Sequence, residues 1–457
     1  MRRRLTQNVP DPRLLALYGT GPAAMPRPKF RAIAARGRQA SWGVFDQGIS
    51  SLMSLAIGVV AARRLPAAEF GAFALALSAY WICLGTSRAL TSEPFVVRFS
   101  ARRDDFRARA SDAAGAAIAV GVALGGALVL VGVLAPLGVL GEALVAIGAV
   151  LPLLLLQDCL RFVAFAARRG GVAFAADLAW FTALLSALAI VGFVHADRVW
   201  IYVLVWGGSA APAAAVGCAR LGVRPRLMST TSWWLRQRDL VWRYLGEFTA
   251  LNGAGQLSLY AIGWIAGLSA AGGVRGAQIL MGPMTTLFIG ISLFALPEGV
   301  RQSNKGTAEM LRFSRSVSGL LGVLAALWIG VLVLFHEEAS HVLLGASSTG
   351  ATRALPGVVL ALTASGLTAG AFIGLRAYAA AKRSLWVRVA IAPLTLAGAA
   401  AGAALDGARG GALGLALAAW IGLGLWWWQF GAELRSRRAA AVHPHKRARG
   451  LAPSGSL

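Results

Sequence analysis

The chain has 457 residues, 57% of them hydrophobic and 14% charged, with a formal net charge of +25. A soluble chain carries roughly a quarter charged residues and needs polar surface to cover its core, so a string of soluble domains is excluded. The basic excess does not point to nucleic acid, because no basic helix or aromatic-interleaved patch stands apart from the apolar pattern.

In chain order, residues 1–41 form a basic, proline-containing segment with no span of its own, and Met25 offers a second plausible start. Twelve apolar spans follow, at 42–62, 70–90, 113–135, 139–165, 172–194, 199–219, 242–264, 274–297, 313–335, 354–375, 386–405 and 410–431. Each is continuously apolar over about twenty residues, the length of a membrane helix, without the ten-residue alternation of a barrel strand. The first is too long and unbroken for a cleaved signal peptide. Only Pro136-Leu137-Gly138 separates the third and fourth. Gly115, Gly121, Gly125, Gly126 and Gly132 on the third predict close helix packing. Cys83, Cys159 and Cys218 lie far apart in or beside apolar segments, a pattern of neither a disulfide framework nor a zinc site. The expected fold is all-α and polytopic, about twelve transmembrane helices in two six-helix bundles. The bundles are expected at 42–219 and 242–432, with a basic linker at 220–241 and a basic, irregular tail over 433–457 that lies on anionic phospholipid.

The spans alternate in charge. Thirty-six of the 44 Lys and Arg residues fall before residue 41, at 98–109, 168–169, 220–243, 301–315 and 376–388, and from 435 onward. Six (Arg63, Arg64, Arg198, Arg275, Arg353 and Arg409) fall on the opposite side. Cytoplasmic loops carry the basic excess, so both termini are expected in the cytoplasm, and the third and fourth spans must be separate. Six spans per half also imply parallel repeats that rock about a central cavity. Under one alignment Gly58 matches Gly263 and Gly71 matches Gly276.

Trp42-Gly43-Val44-Phe45-Asp46-Gln47, Ala61-Ala62-Arg63-Arg64-Leu65 and Glu69-Phe70-Gly71-Ala72-Phe73 resemble the start of bacterial polysaccharide-biosynthesis membrane proteins. These are O-antigen and teichoic-acid exporter-like members of the multidrug/oligosaccharidyl-lipid/polysaccharide flippase superfamily. Arg275-Gly276-Ala277-Gln278-Ile279-Leu280-Met281-Gly282-Pro283 with Leu296-Pro297-Glu298 is similar to their eighth-helix region. The resemblance runs from about residue 40 to 432. It implies a flippase of the bacterial plasma membrane that carries a lipid-linked glycan outward, alone or beside glycan-synthesis membrane proteins. It implies no catalytic residue, cofactor or metal.

Ionisable groups inside spans are costly and are the first functional candidates. Asp46 and Glu247 sit early in the first helix of each half; each either lines a cavity or forms an interfacial pair with Arg38 or Arg243. Arg88 is placed to meet a lipid phosphate with its rigid donor fork, to snorkel, or to pair with Glu93. Asp158 and Arg161, three apart on one face, are read as an internal pair that Asp177 can join. Arg275 is expected to open the eighth helix from the outer side. Asn252, Gln256 and Tyr260, spaced by four, share a face that must point into the protein. Trp426-Trp427-Trp428 reads as an interfacial belt. The longest outward loop, 336–353, holds His336, Glu337, Glu338 and His341, whose spacing is not that of a zinc protease. No Walker-type phosphate loop is present. The alternatives to a flippase are a small-molecule or drug exporter, for which acidic cavity groups are expected, and an enzyme or scaffold of cell-surface glycan assembly.

Overall fold

The computed structural model describes residues 30–100, 104–248 and 253–442, and every secondary-structure element among them is helical. A helix is the natural solution for such segments, because it satisfies each internal backbone N–H and C=O without water. Ten of the described helices are long and apolar enough to cross a membrane. Residues 42–457 form one compact unit, and residues 1–41 another, of which 30–41 are described as the first turns of α1.

The first half opens with α1 (Phe30–Arg64), which starts well before the expected position 42. Helix α2 (Ala67–Ser87) runs through a π-helical turn, Arg88–Ser92, into α3 (Glu93–Phe99). Helices α4 (Phe106–Leu134) and α5 (Val139–Ala166) form a hairpin. It closes at Gly138, whose φ of +52° lies in the left-handed region that favours glycine. Pro136-Leu137-Gly138 therefore does divide two crossings. Three of the glycines singled out on α4 carry this hairpin: Gly121, Gly125 and Gly132 face the backbones of Pro152, Gly148 and Gly141 so closely that a Cβ would collide. Gly115 instead abuts the backbone of Arg226, and Gly126 faces open space. Helices α6 (Gly170–Val194), α7 (Val199–Gly208) and α8 (Ala211–Leu221) complete the half.

The second half departs further from expectation. The linker is not an extended loop, for α9 (Thr230–Phe248) occupies most of it. The single span expected at 242–264 is split between α9 and α10 (Ala254–Ala266). The 13 residues of α10 rise roughly 20 Å, short of a bilayer core of about 30 Å, and residues 249–252 before it lie outside the described residues. The eighth crossing begins at α11 (Leu268–Leu280), bends at Met281 ahead of Pro283, and continues as α12 (Gly282–Ser303). The expected outward loop at 336–353 is helical instead. Helix α13 (Thr307–Leu344) runs through it, and one short turn, Gly345–Ser347, leads to α14 (Ser348–Ala377). Helix α15 (Ala381–Val442) is two helices joined at Asp406 and Gly407, where the last two spans were expected to part. Its helical end replaces the irregular start expected for the tail; residues from 443 lie outside the described residues.

This is an all-α, multi-pass membrane protein of about twelve helix positions in two bundles. The halves meet through α2. Gly71 approaches the Leu268 backbone and Gly272, and Tyr260 donates its hydroxyl hydrogen to the Leu75 carbonyl at 2.8 Å. The matched glycines make reciprocal contacts: Gly58 of α1 packs on Ile279 of α11, and Gly263 of α10 packs on Leu75 of α2. That exchange is what a repeat related by a two-fold along the membrane normal produces.

Candidate functional site

Two groups of polar residues interrupt the apolar interior. The first lies inside the first bundle, around α5. A helix places residues three and four apart on one face, so Gln157, Asp158 and Arg161 project together. Asp158 accepts a two-pronged contact from Arg88 of the π turn, at 2.9 Å from Nε and 2.6 Å from Nη2. Arg161 donates to Asp46 of α1 through Nε at 2.7 Å and also through Nη2. Its Nε lies 3.7 Å from Asp177 of α6. Gln157 donates to the other Asp177 oxygen at 2.8 Å. The carboxylates of Asp46, Asp158 and Asp177 are buried, while Arg88 and Arg161 keep 30% and 21% of their side-chain surface. One edge of the network is thus open. Three carboxyls face two guanidiniums, and the second oxygen of Asp46 is buried without a hydrogen-bond partner.

This arrangement revises three expectations. Asp158 and Arg161 do not pair with each other; each takes its partner from another helix. Arg88 does not hold its fork free for a phosphate, because Asp158 occupies it, and Phe162 lies under the guanidinium at 5.2 Å. Asp46 is fully buried and takes Arg161 as a partner. Spacing on one helix cannot reveal which neighbour approaches, and these charged partners come from α1, the π turn after α2, and α6.

The second group lies between the bundles. A small cavity is lined by Ala74, Leu77, Ser78 and Trp81 of α2, Gly255, Gln256 and Leu259 of α10, and Arg275 and Gln278 of α11. Arg275 does not open its helix, as expected, but sits two turns inside it, because α11 starts at Leu268. Its Nη1 donates to Gln278 Oε1 at 3.2 Å, and among the described residues no carboxylate pairs with it. The cavity therefore offers a cation, two amides, a hydroxyl and an indole, and among the described residues no acid lines it.

Of the remaining candidates, Gln256 faces this cavity while Tyr260 spends its hydroxyl on α2. Asn252 lies outside the described residues, as does the side chain of Glu247. Sequence reasoning missed Ser78, Trp81 and Gln278. The helical three-residue step from Arg275 to Gln278, and from Ser78 to Trp81, was the available signal. The tryptophan run is not one belt. Trp426 is buried against Phe372, Trp427 donates to the Leu367 carbonyl at 3.0 Å, and only Trp428 is exposed, beside Trp386.

A third cluster clips helix ends in the second half. Arg383 donates to Glu433 and Gln429, both at 2.9 Å. Arg437 donates to Glu433 at 2.7 Å and covers the Tyr378 ring at 4.1 Å. Burial holds the Tyr378 hydroxyl above its ordinary pKa. The arginines and acceptors of these contacts all belong to the same half.

The sequence matches no protein-family model and no curated protein. Solved structures share the fold. An inward-facing multidrug-resistance MATE-family transporter of the MOP superfamily superposes with a TM-score of 0.65 at 12% identity, over 85% of this chain and 95% of that one. The lipid II flippase MurJ, in an inward closed conformation, gives 0.61 at 10% identity, over 85% and 86%. A MOP-superfamily transporter from Pyrococcus furiosus, described as having a binding pocket of reverse polarity, gives 0.56 at 12% identity, over 89% and 96%. The chain therefore has the fold of MOP-superfamily transporters.

Proposed function

We propose that this protein is a flippase that moves a lipid-linked oligosaccharide or polysaccharide precursor across the bacterial plasma membrane by alternating access. The observation that carries this reading is Arg275, an arginine inside a span, without a carboxylate partner, in a cavity between two bundles. A buried charge needs compensation; an anionic headgroup supplies it, and the guanidinium fork suits phosphate. Gln256, Gln278, Ser78 and Trp81 add the amide, hydroxyl and aromatic contacts that a sugar uses. The acyl tail stays in the bilayer while the bundles 42–219 and 242–432 rock. Export of cationic drugs is less well served, since among the described residues no acid lines the cavity.

The positive-inside count supports termini in the cytoplasm. In that orientation the contact of Gly71 with α11 closes the outer side, and the cavity waits for an inner-leaflet substrate. The surplus carboxyl of the Asp46–Asp177–Arg161 group suits a cycle driven by an ion gradient or the membrane potential. Glycan-synthesis membrane proteins are the natural suppliers of the substrate.

The test is reconstitution of the full chain alone in liposomes with a radiolabelled prenyl-linked oligosaccharide. Exposure of the glycan on the far leaflet, dependent on the protein, is the expected result. No movement across a panel of prenyl-linked glycans, with monodisperse protein, would shift the reading to drug export.

A further inference from the structure

The linker helix α9 has two faces with different partners. Thr230, Trp233, Gln237 and Val241 recur at helical spacing and are buried. Trp233 is wholly enclosed, packs on Phe99 with ring centroids 6.0 Å apart, and donates its indole N–H to the Leu90 carbonyl at 3.2 Å. Leu90 belongs to the π turn, where the widened ladder frees carbonyls. Arg98 grips both oxygens of Asp239 at 2.6 Å. This face is docked on the first bundle.

The other face carries Leu235, 66% exposed, and Trp242, 73% exposed. Seven residues apart, they align within about 20° at 100° per residue. Leu227 and Met228, also exposed, precede them in the same segment. Around this apolar stripe stand Arg224, Arg226, Arg238 and Arg243, all exposed, while Arg236 turns toward Asp112 of the first bundle at 3.9 Å. The only acid between residues 220 and 243, Asp239, is engaged by Arg98. A membrane helix, α8, ends at Leu221, and α10 begins at Ala254. Both ends of the linker are thus tethered close to the bilayer surface.

We infer that α9 is an interfacial helix that binds the anionic phospholipid layer beside the first bundle, with Leu235 and Trp242 inserted at the headgroup–acyl boundary and Arg238 and Arg243 on lipid phosphates. The mixture of exposed Trp, Leu and Arg on one face is that of helices lying in a membrane interface, and the uncompensated positive charge selects anionic lipid over zwitterionic. The inference rests on the membrane fold and not on the transported substrate. The linker then holds the π turn on one side and the leaflet on the other.

The experiment uses the full chain, with Cys83, Cys159 and Cys218 replaced by serine and a nitroxide placed at position 235, 242 or, as an aqueous control, 305. Each protein is reconstituted in nanodiscs of phosphatidylcholine alone or of phosphatidylcholine with phosphatidylglycerol. Collision with oxygen is compared with collision with a water-soluble nickel chelate. The expected result is oxygen accessibility several-fold above nickel at 235 and 242 but not at 305. The preference should grow with phosphatidylglycerol in the native linker and not in an R238E/R243E variant. Nickel accessibility at 235 and 242 equal to that at 305 would overturn the inference. So would shielding from both reagents, which would mean a protein partner or second copy on this face. Insertion indifferent to phosphatidylglycerol would overturn the anionic part. Elution of each labelled protein as a single monodisperse peak guards against misfolding.

Discussion

The arginines of the first bundle and the arginine between the bundles live under opposite conditions. Arg88 and Arg161 each have a buried carboxylate at hydrogen-bond distance, whereas among the described residues Arg275 has only the Gln278 amide. A charge removed from water is tolerated when an opposite charge and hydrogen bonds replace its hydration. In the first bundle the protein supplies that replacement itself. At Arg275 the proposed anionic substrate would supply it. The contrast separates groups that hold the bundle together from a group available to a ligand, a distinction that residue type alone does not reveal.

The sharpest way to break this contrast is at Arg161. The variant Arg161→Ala leaves Asp46 and Asp177 buried around an empty place. Removing one partner of a buried pair costs about 3–5 kcal/mol, so the yield of folded protein should collapse and the thermal midpoint in detergent should fall sharply. Native yield and midpoint would show that the network is not structural.

Arg88 gives a smaller and more diagnostic effect. Arg88→Ala should destabilise the protein by uncovering Asp158, and Arg88→Ala with Asp158→Ala should recover part of the loss. A coupling energy of about 0.5–3 kcal/mol between contacting groups is expected from the double-mutant cycle. Additive effects would mean that the two-pronged contact contributes nothing, and would return Arg88 to the list of candidate ligands for phosphate.

Arg275 should behave in reverse. Arg275→Ala removes a cation that no protein group compensates, so the thermal midpoint should hold or rise. Glycan movement in liposomes should fall on the order of tenfold to a hundredfold, the equivalent of a charge-assisted hydrogen bond of about 1.5–3 kcal/mol. Arg275→Lys should keep part of the rate, because the charge remains while the fork is lost. A destabilised Arg275→Ala protein, or one that transports normally, would erase the distinction between the two regions.

How legible this was in the sequence depends on the kind of signal. Continuous apolar length is a property of one segment, and it placed most of the spans and the α4–α5 hairpin. Where a crossing is broken the same rule fails. It read α9 and α10 as one helix because Trp242 to Trp264 is mostly apolar, with Arg243 and Glu247 as its only charged residues. It read 336–353 as a loop because His336, Glu337 and Glu338 interrupt the hydropathy, although backbone bonding continues through them to Leu344. The charged residues were found because ionisable groups stand out in an apolar chain, but of their partners only Asp177, beside Arg161 at 3.7 Å, was foreseen. Asp46 to Arg161 and Arg88 to Asp158 are tertiary pairings, set by which helices pack together. Position within a helix was equally hidden for Arg275: the small residues Ser269 to Gly273 read as a turn, yet they form the first turns of α11.

The smallest effect expected is at Asp239, and it tests whether the docked face of the linker belongs with the structural ion pairs. Desolvation works to raise the pKa of this carboxyl, but the hydrogen bonds from Arg98 and the backbone, together with the Arg98 charge, outweigh it and hold the carboxyl below its ordinary pKa. A carboxyl with a depressed folded-state pKa stabilises the docked linker fully above its unfolded value and loses that contribution as pH falls through the folded value. The exposed pair is also screened by salt. Protection of α9 amides against hydrogen exchange should therefore decline in acid, below the ordinary carboxylate range, and decline further at high ionic strength. In Asp239→Asn the protection should be slightly lower at neutral pH and should lose this acid dependence. The acid-stable part of the protection should remain in both proteins, because Trp233 is enclosed and its bond to Leu90 carries no titrating group. An acid dependence that survives in Asp239→Asn would place the titrating group elsewhere and would leave Trp233 as the principal anchor of the linker.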